Sequence, residues 1–466
     1  MKKNFHIIFF FGLYCLWFFR PDIFWNIFSF RLFYEAISAG MGFLTWAILV
    51  ILVVGINLIF WGLIGLSRYI SELFPGIIHK IKKGEEPPRS VNRLSPDEVA
   101  VIVPAHNEEL VIKETIRSLL DIINRQHIFV VSDGSKDRTV EIVRELGVKV
   151  IDLKISRGKA GALEACIRHF DILNRYKAVL FVDADTRLKN DYLKYALPFM
   201  NDTRVVAVAG YAKTIWDPKK LSWGQMLYVL HRDRVYFFSQ FLVKFGQTWR
   251  HTNVTHIVPG FASIYKTSAL KEITMNPPGL VIEDFNMTFE VHHKKLGLIA
   301  HHPSVVANTQ DPDNGRDYYR QVKRWHLGLW QTIRHHGFWP SKFWASWILM
   351  LIETVLGSIV FLLIPLIILI SILPVPHYHL FLYFALIKNF ILSYFSLLFI
   401  FWGVWVADYV MTAIVAIVQR RWQYLIFGIF FPFIRFFDAI AFIIAIPKAF
   451  LVRSSGRWVS PSRRRI

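Results

Sequence analysis

Four apolar runs decide what this chain can fold into. Residues 41–66 carry no charge, and residues 346–374 carry only Glu353. Residues 390–418 and 424–446 are interrupted only by Asp408 and by Arg435 and Asp438. A helix of about 20 apolar residues crosses a bilayer, so runs of this length predict an integral membrane protein. The composition agrees: 54% hydrophobic residues with 41 Phe and 16 Trp is too apolar for an ordinary soluble protein. Asp408, Arg435 and Asp438 are candidates for function because charges inside membrane segments are costly. They read either as the polar lining of a path or as a buried cluster that packs the helices.

The flanks of these runs suggest a topology. Residues 6–19 and 23–33 read as one crossing plus an interfacial segment, and residues 41–66 as the second crossing. Arg68, Lys80, Lys82 and Lys83 follow, which places that end in the cytoplasm. Lys2 and Lys3 do not open a signal peptide, because Arg20-Pro21-Asp22 is no small-residue cleavage site. Residues 377–418 exceed one span, with a division expected at Lys388-Asn389, so three or four spans are expected at the C-terminal end. The net charge of +20 points to anionic headgroups rather than nucleic acid. Two cysteines, Cys15 and Cys166, give neither a disulfide framework nor a metal site.

From about Glu98 to Arg334 the pattern is that of an α/β domain. Strands at 99–104, 127–132, 148–153, 178–182 and 205–209 alternate with helices at 110–123, 139–146, 160–173 and 192–200. This spacing predicts βαβ units and a mostly parallel, Rossmann-like, doubly wound sheet. Two aromatic-rich helical stretches follow, 219–245 and 316–334, and both could lie against the membrane. The resulting division is 1–83, an N-terminal membrane region; 84–98, a linker; 99–315, the cytoplasmic domain; 316–340, an interfacial helix; 341–452, the C-terminal membrane region; and 453–466, a basic tail.

Ligands of such sheets sit beyond the carboxyl ends of the strands, and polar residues collect at those ends. The first strand delivers His106, Asn107 and Glu108 after Pro104, which should end it. The second delivers Asp133, a Gly-containing turn, and Asp137 to cap the next helix. Neither a Walker loop nor a GxGxxG is present. Lys159, flanked by Gly158 and Gly161, opens a helix, a setting that favours phosphate. The apolar run 179–182 ends in Asp183-Ala184-Asp185, and two carboxylates there suit Mg²⁺ or Mn²⁺ on a diphosphate. Paired histidines such as His292-His293 and His301-His302 lack catalytic metal spacing and read as core or interfacial residues.

These motifs resemble the membrane-embedded family 2 processive glycosyltransferases, the cellulose, chitin, hyaluronan and poly-N-acetylglucosamine synthases. Two further signatures strengthen the resemblance. Val281-Ile282-Glu283-Asp284 matches the family's TED motif with Ile in place of Thr, and Gln321, Arg324 and Trp325 match QxxRW. The resemblance implies an α/β domain of the glycosyltransferase A type between N- and C-terminal membrane helices. It places His106, Asn107, Glu108 and Asp133 on the nucleobase and ribose. Lys159 is placed on the pyrophosphate, and Asp183 and Asp185 on the metal. Gly260, Phe261, Ala262 and Ser263 resemble the acceptor-side segment.

Glycosyl transfer itself requires a carboxylate to take a proton from the attacking hydroxyl. Glu283 and Asp284 are the catalytic candidates, with Asp284 the general base. Gln321, Arg324 and Trp325 share one helical face, so the Arg can meet the donor diphosphate and the Trp can stack on a sugar of donor or acceptor. Arg316, Arg320 and Arg324 form a second, basic stripe along the same helix.

The expected protein is an inverting, processive enzyme of a multi-pass plasma membrane location, with its catalytic domain in the cytoplasm. It would polymerise a UDP-sugar onto a growing polysaccharide and pass the product through the bilayer, alone or with an accessory membrane subunit. The closing stretch 456–461 resembles that of poly-N-acetylglucosamine synthases, and this resemblance favours UDP-N-acetylglucosamine, with UDP-glucose and UDP-glucuronate as alternatives. A non-processive lipid-linked sugar transferase and a nucleotide-regulated transporter are the competing classes.

Overall fold

A computed structural model describes residues 41–73, 93–373, 382–394, 397–451 and 464. The expected crossing at 6–33, Lys80, Lys82, Lys83, residues 84–90 and the tail apart from Arg464 lie outside the described residues. The chain divides into two compact units.

The larger unit is built on an eight-stranded sheet. Its first strands are β1 (Val99–Ala105), β2 (Ile128–Asp133), β3 (Lys149–Leu153) and β4 (Ala178–Val182). They form an all-parallel block, with β1 between β2 and β4 and β3 outside β2. Every residue of β1, β2 and β4 is buried. Strands covered on both faces need continuous apolar runs, and these have them. Val99, Val101 and Val103 pack on one face with Ile112 and Ile116, while Ala100 and Ile102 pack on the other with Leu163 and Cys166.

The remaining strands are β5 (Thr186–Leu188), β6 (Val205–Thr214), β7 (Ala262–Lys266) and β8 (Leu298–Thr309). The spatial order is β3-β2-β1-β4-β7-β6-β8-β5. β7 runs antiparallel to both β4 and β6, β5 is antiparallel to β8, and β6 and β8 are parallel. The sheet is thus Rossmann-like, as expected, but mixed in its second half.

Several local expectations are corrected. β1 does not stop at Pro104 but runs to Ala105. Its pairing with β4 ends at Ile102, so Pro104 has one neighbouring strand, an edge-like setting that proline tolerates. Within the stretch 219–245, the charged residues 231–234 and 244 do not face headgroups. The helix Trp223–Tyr236 and the π-helix Phe237–Lys244 hold His231, Arg232, Asp233, Arg234 and Lys244 buried, each at most 5% exposed.

The run 41–66 is not one continuous helix. It forms Met41–Val54 and Ile56–Leu73, separated at Gly55, whose φ of +99° no helix accommodates. Lys388 and Asn389 do not divide the later run either. They lie inside the helix Leu382–Tyr394, where Lys388 Nζ reaches the carbonyl of Leu373 at 2.5 Å. A lysine with its charge so engaged need not break a helix.

Among the described residues, three helices are long and apolar enough to cross a membrane: Lys342–Ile372, Phe401–Gln419 and Gln423–Leu451. Ile352, Leu356, Ile359, Leu363 and Leu366 form an exposed apolar stripe along the first. The smaller unit contains Val53, Phe361, Ile364, Ile400, Val404 and Ala439 in one cluster. Asp408 there is fully buried, with Oδ1 2.9 Å from Arg435 Nη1. The Arg435 guanidinium lies 4.6 Å from the centre of the Phe361 ring. This ion pair fits a packed charge cluster, one of the two arrangements the sequence left open.

Candidate active site

The carboxyl ends of β1, β2 and β4 open on one side of the sheet, and each delivers its polar residues there. At the end of β1, His106 Nδ1 lies 2.7 Å from the Asp133 carbonyl, and Asn107 takes a left-handed φ of +55°. The Asn107 side chain accepts from the Lys136 N–H at 2.8 Å, so this tip is fastened to the turn after β2. Glu108 is fully buried and its carbonyl starts the next helix. Asp137 accepts from the Thr139 N–H at 3.0 Å, as a capping residue does.

Asp133 is fully buried. Its carboxylate accepts from Ser156 Oγ at 2.7 Å and from the N–H groups of Arg157 and Gly158 at 2.7 and 3.0 Å. These bonds fix the start of the helix Gly158–His169, and with it Lys159. Gly158 adopts a φ of +74°, which lets the chain turn into this helix directly beneath Asp133.

Lys159 is where the separate motifs meet. Its Nζ lies 2.7 Å from Asp183 Oδ1 at the end of β4 and 2.8 Å from Glu283 Oε1 at the start of the helix Glu283–His293. Burial pulls the lysine's pKa down, but Asp183 and Glu283 outweigh it and hold the ammonium firmly charged. Gly260 lies against the same group: a Cβ there would come within 2.8 Å of Glu283 Oε1 and 3.0 Å of Lys159 Nζ. Its N–H donates to Asp284 Oδ2 at 3.1 Å, and the Phe285 N–H donates to Oδ1 at 2.7 Å. Of the acceptor-side candidates, Gly260 and Phe261 are half-buried before β7, whereas Ala262 and Ser263 are buried strand residues.

The electrostatics follow from crowding. Burial raises Asp183, Lys159 lowers it again in part, and the neighbouring Asp185 adds to the rise. Asp284 is lifted to about 6 by burial and by Glu283, against the pull of Lys159 and its two N–H donors. Glu283 goes the other way: burial would raise it, but Lys159 holds it below the ordinary carboxylate range. The charge of Arg324 also contributes to lowering Glu283.

Such an excess of carboxylate oxygen suits a hard divalent cation. Among the described residues no three acidic, histidine or cysteine side chains converge to hold one. A cation on Asp183 and Asp185 therefore keeps positions for water or phosphate oxygens.

The QxxRW residues sit on the helix Gly315–His336. That helix is tied to the Glu283 segment, since the Val281 N–H donates to Gln331 Oε1 at 3.2 Å. At Gly328 a Cβ would come within 2.7 Å of the Ile282 side chain, so the two elements touch closely there.

A set of residues the sequence reading did not single out braces this face. Arg232, 2% exposed, donates to Gln321 Oε1 at 2.9 Å, and its guanidinium lies 4.4 Å from the Trp325 ring centre and 4.7 Å from that of Tyr318. Its Nε is 3.9 Å from Asp311 Oδ1. Asp311 in turn accepts from Tyr236 at 2.7 Å and from Thr214 at 2.8 Å, and burial raises its carboxyl to about 6. The only hint in the sequence is the charged run His231–Arg234 inside an aromatic stretch.

Residues 100–274, which include all of β1 but its first residue, β2 to β7, Asp133, Lys159, Asp183 and Asp185, match the family model described as glycosyl transferase family 2. This segment is thus similar to family 2 glycosyltransferase domains. Similar proteins include the probable glycosyltransferase YdaM of Bacillus subtilis, 27% identical over 243 residues, covering 49% of this chain and 54% of that one. The poly-β-1,6-N-acetyl-D-glucosamine synthase of Staphylococcus epidermidis is 24% identical over 249 residues, covering 52% of this chain and 57% of that one. The chain thus spans little more than half the length of these relatives. Among solved structures, the mannosyltransferase PcManGT from Pyrobaculum calidifontis, in complex with GDP-Man and Mn²⁺, superposes with a TM-score of 0.49 at 18% identity. The match covers 87% of this chain and 99% of that one. Glu283, Asp284 and the QxxRW residues lie beyond the matched segment, which reaches Glu283 through Lys159 and Asp284 through Gly260.

Proposed function

We propose that this protein is an inverting, processive glycosyltransferase that polymerises a UDP-sugar, with UDP-N-acetylglucosamine favoured. The growing β-linked polysaccharide is its acceptor, and its membrane helices pass the product across the bilayer. The observation that carries the reading is the convergence on Lys159 of the β4 carboxylate Asp183 and the helix carboxylate Glu283. Asp284 is held next to them by the Gly260 N–H. The likeness to a poly-β-1,6-N-acetyl-D-glucosamine synthase supports the choice of sugar. The apolar helices support a multi-pass protein, and Arg68, Lys80, Lys82 and Lys83 after the run 41–66 support a cytoplasmic transferase domain.

In this mechanism an acceptor hydroxyl attacks the anomeric carbon of the donor. Its proton passes to the Asp284 carboxylate, and the bond from that carbon to the diphosphate oxygen breaks, with inversion. Two N–H donors hold the Asp284 oxygens in place before the reaction, so little reorganisation is needed. Lys159 is positioned to meet the diphosphate, with Glu283 holding it at the crevice. Gln321, Arg324 and Trp325 supply the second wall, with Arg324 for diphosphate charge and Trp325 for stacking on a sugar ring. His106, Asn107, Glu108 and Asp133 form the nucleoside end. Asp183 and Asp185 would hold Mg²⁺ or Mn²⁺, which offsets the charge that builds on the leaving diphosphate.

The test is purified protein in vesicles with Mg²⁺ or Mn²⁺ and a panel of radiolabelled UDP-sugars. UDP-N-acetylglucosamine should be consumed and a polymer formed, and Asp284→Asn and Asp185→Asn should abolish both. Full polymer synthesis by Asp284→Asn would remove it as the base. Transfer of a single sugar to lipid would replace polymerisation with lipid-linked transfer.

A further inference from the structure

A cleft of about 560 Å³ in the larger unit takes no part in the chemistry above. One wall is the helix Ile56–Leu73, through Ile64, Ser67, Arg68, Ser71 and Glu72. The facing wall follows the π-helix Phe237–Lys244, through Thr248, Trp249, Arg250 and Asn253. The starts of β6 and β8 close it, with Val205 and Leu298. β6 and β8 are parallel to each other, and β6 and β4 are both antiparallel to the β7 between them. The first residues of β6 and β8 therefore lie at the end of the sheet opposite to Asp183, and the cleft is a site apart from the reacting groups.

The helix wall is seated tightly on the domain. No Cβ fits at Gly65 against the Leu242 carbonyl, nor at Gly246 against the Trp61 carbonyl. Another face of this helix is apolar and exposed: Ile59, Phe60, Leu63, Leu66 and Ile70 are 41 to 63% exposed and recur at helical spacing. In a membrane protein such a face lies in lipid. Ser67 and Ser71 stand at the flank of that face, so the cleft opens beside it, where the helix gains its first charges at Arg68 and Glu72. Trp249 and Arg250, both exposed, are residue types that gather at the headgroup level.

The charges of the lining favour an anion. Its two acids are taken: Glu72 Oε2 lies 2.9 Å from His302 Nε2, and Asp202 holds Arg204 by two bonds of 3.1 and 2.8 Å. Arg68 donates through Nη1 to the Phe245 carbonyl and to Thr248 Oγ1, and its guanidinium lies 4.0 Å from the Phe245 ring centre. Arg250 donates from Nε to His251 Nε2 at 3.2 Å. Among the described residues neither Arg68 nor Arg250 is ion-paired. Each guanidinium keeps N–H donors for an incoming anion, and the planar fork suits phosphate oxygens. We propose that this cleft binds the phosphate headgroup of an anionic membrane lipid. Arg68 and Arg250 hold the phosphate oxygens, and the first acyl carbons lie against Ile64 and Leu298. The volume is that of a small-molecule site, so the headgroup end enters while the rest of the chains stay in the bilayer. Such a lipid ties the helix Ile56–Leu73 to the start of β8 and fixes the domain against the membrane surface.

The experiment uses the full-length protein in a neutral detergent, with Arg250→Gln, Arg68→Gln and the double variant. Binding is measured for dioctanoyl phosphatidylglycerol, dioctanoyl phosphatidylcholine and inorganic phosphate, with melting temperature and UDP affinity as reports of folding. Phosphatidylglycerol should bind the wild type saturably, and each substitution removes charged hydrogen bonds and should weaken it about tenfold. Phosphatidylcholine, whose own cation offsets its phosphate, should bind about tenfold more weakly than phosphatidylglycerol. UDP affinity should stay within about twofold in Arg250→Gln, because the cleft lies far from the donor site. Equal phosphatidylglycerol binding by the wild type and the double variant overturns the proposal. Equal binding of the two lipids also overturns it, because the arginines then have no role. Displacement of the lipid by inorganic phosphate at the same concentration marks a free-anion site and overturns the lipid. Arg68 also holds the Phe245 carbonyl, so if Arg68→Gln melts early, Arg250→Gln decides alone. A loss of UDP affinity in Arg250→Gln parallel to the loss of lipid marks a structural arginine and overturns the proposal as well.

Discussion

Lys159 and Glu283 face each other at 2.8 Å across a sequence separation that no local pattern bridges. The pair joins the matched family domain to the helix that carries Asp284. Only 16% of the lysine side chain and 7% of the glutamate side chain are exposed, so neither charge has water as a ready substitute. Removing Glu283 takes one charged hydrogen bond from a buried lysine and leaves Asp183 as its remaining counter-charge, at a cost of about 2 kcal/mol. Glu283→Gln should therefore lower the melting temperature and reduce turnover at least tenfold. Glu283→Asp, which keeps the charge, should recover part of both. Calorimetry and a donor-consumption assay on the same preparations check this.

With Asp284 as the base, as proposed, its titration sets a pH dependence. Its pKa is raised to about 6 by burial and by Glu283, and the base must be ionised to take a proton. The rate of transfer should be level above about pH 7 and fall tenfold per unit well below 6. Glu283→Gln removes a raising charge, so the midpoint of the profile should move to lower pH. A pH–rate profile of both proteins at saturating UDP-sugar measures the shift. An unmoved midpoint would show that the acid limb belongs to another group.

Arg232 holds Gln321 and the Trp325 ring with one planar group. Lysine cannot make both contacts at once. Arg232→Lys should therefore cost transfer at least tenfold and increase amide exchange in the first turns of the helix Gly315–His336, while exchange in β1 and β2 stays as in the wild type. Hydrogen-exchange mass spectrometry distinguishes this local loosening from general unfolding.

The buried pair Asp408–Arg435 gives a prediction for the membrane region. Asp408→Asn leaves Arg435 without its counter-charge and should lower thermal stability in detergent. Asp408→Asn combined with Arg435→Gln should regain much of the loss, because both charges are then gone. Normal stability of the single variant would remove the packing role.

The parallel half of the sheet was legible because its strands need continuous apolar runs such as Val179–Val182, and their tips carry the polar residues that bind ligands. β7 and β8 were not. Ala262-Ser263-Ile264-Tyr265-Lys266 has neither a clean run nor an alternation, and it becomes a strand only because β4 and β6 flank it. In β8, His301 and His302 break the apolar pattern, and β8 is registered against β6 across a bulge. The role of Arg232 was hidden for the same reason. Its partners Asp311, Gln321 and Trp325 come from a distant part of the chain, so its burial is a property of the fold and not of its neighbours in sequence. The break at Gly55 was also hidden, since an apolar run reveals its length but not its backbone angles.

The three bonds that Asp133 accepts from Ser156, Arg157 and Gly158 have a mechanical consequence. Gly158 is tethered to the end of β2, and the next residue, Lys159, is clamped to β4 and to the Glu283 helix. The two ends of the crevice are therefore connected in series through one peptide bond. A strain applied at the β2 tip has no slack in which to dissipate before it reaches the lysine.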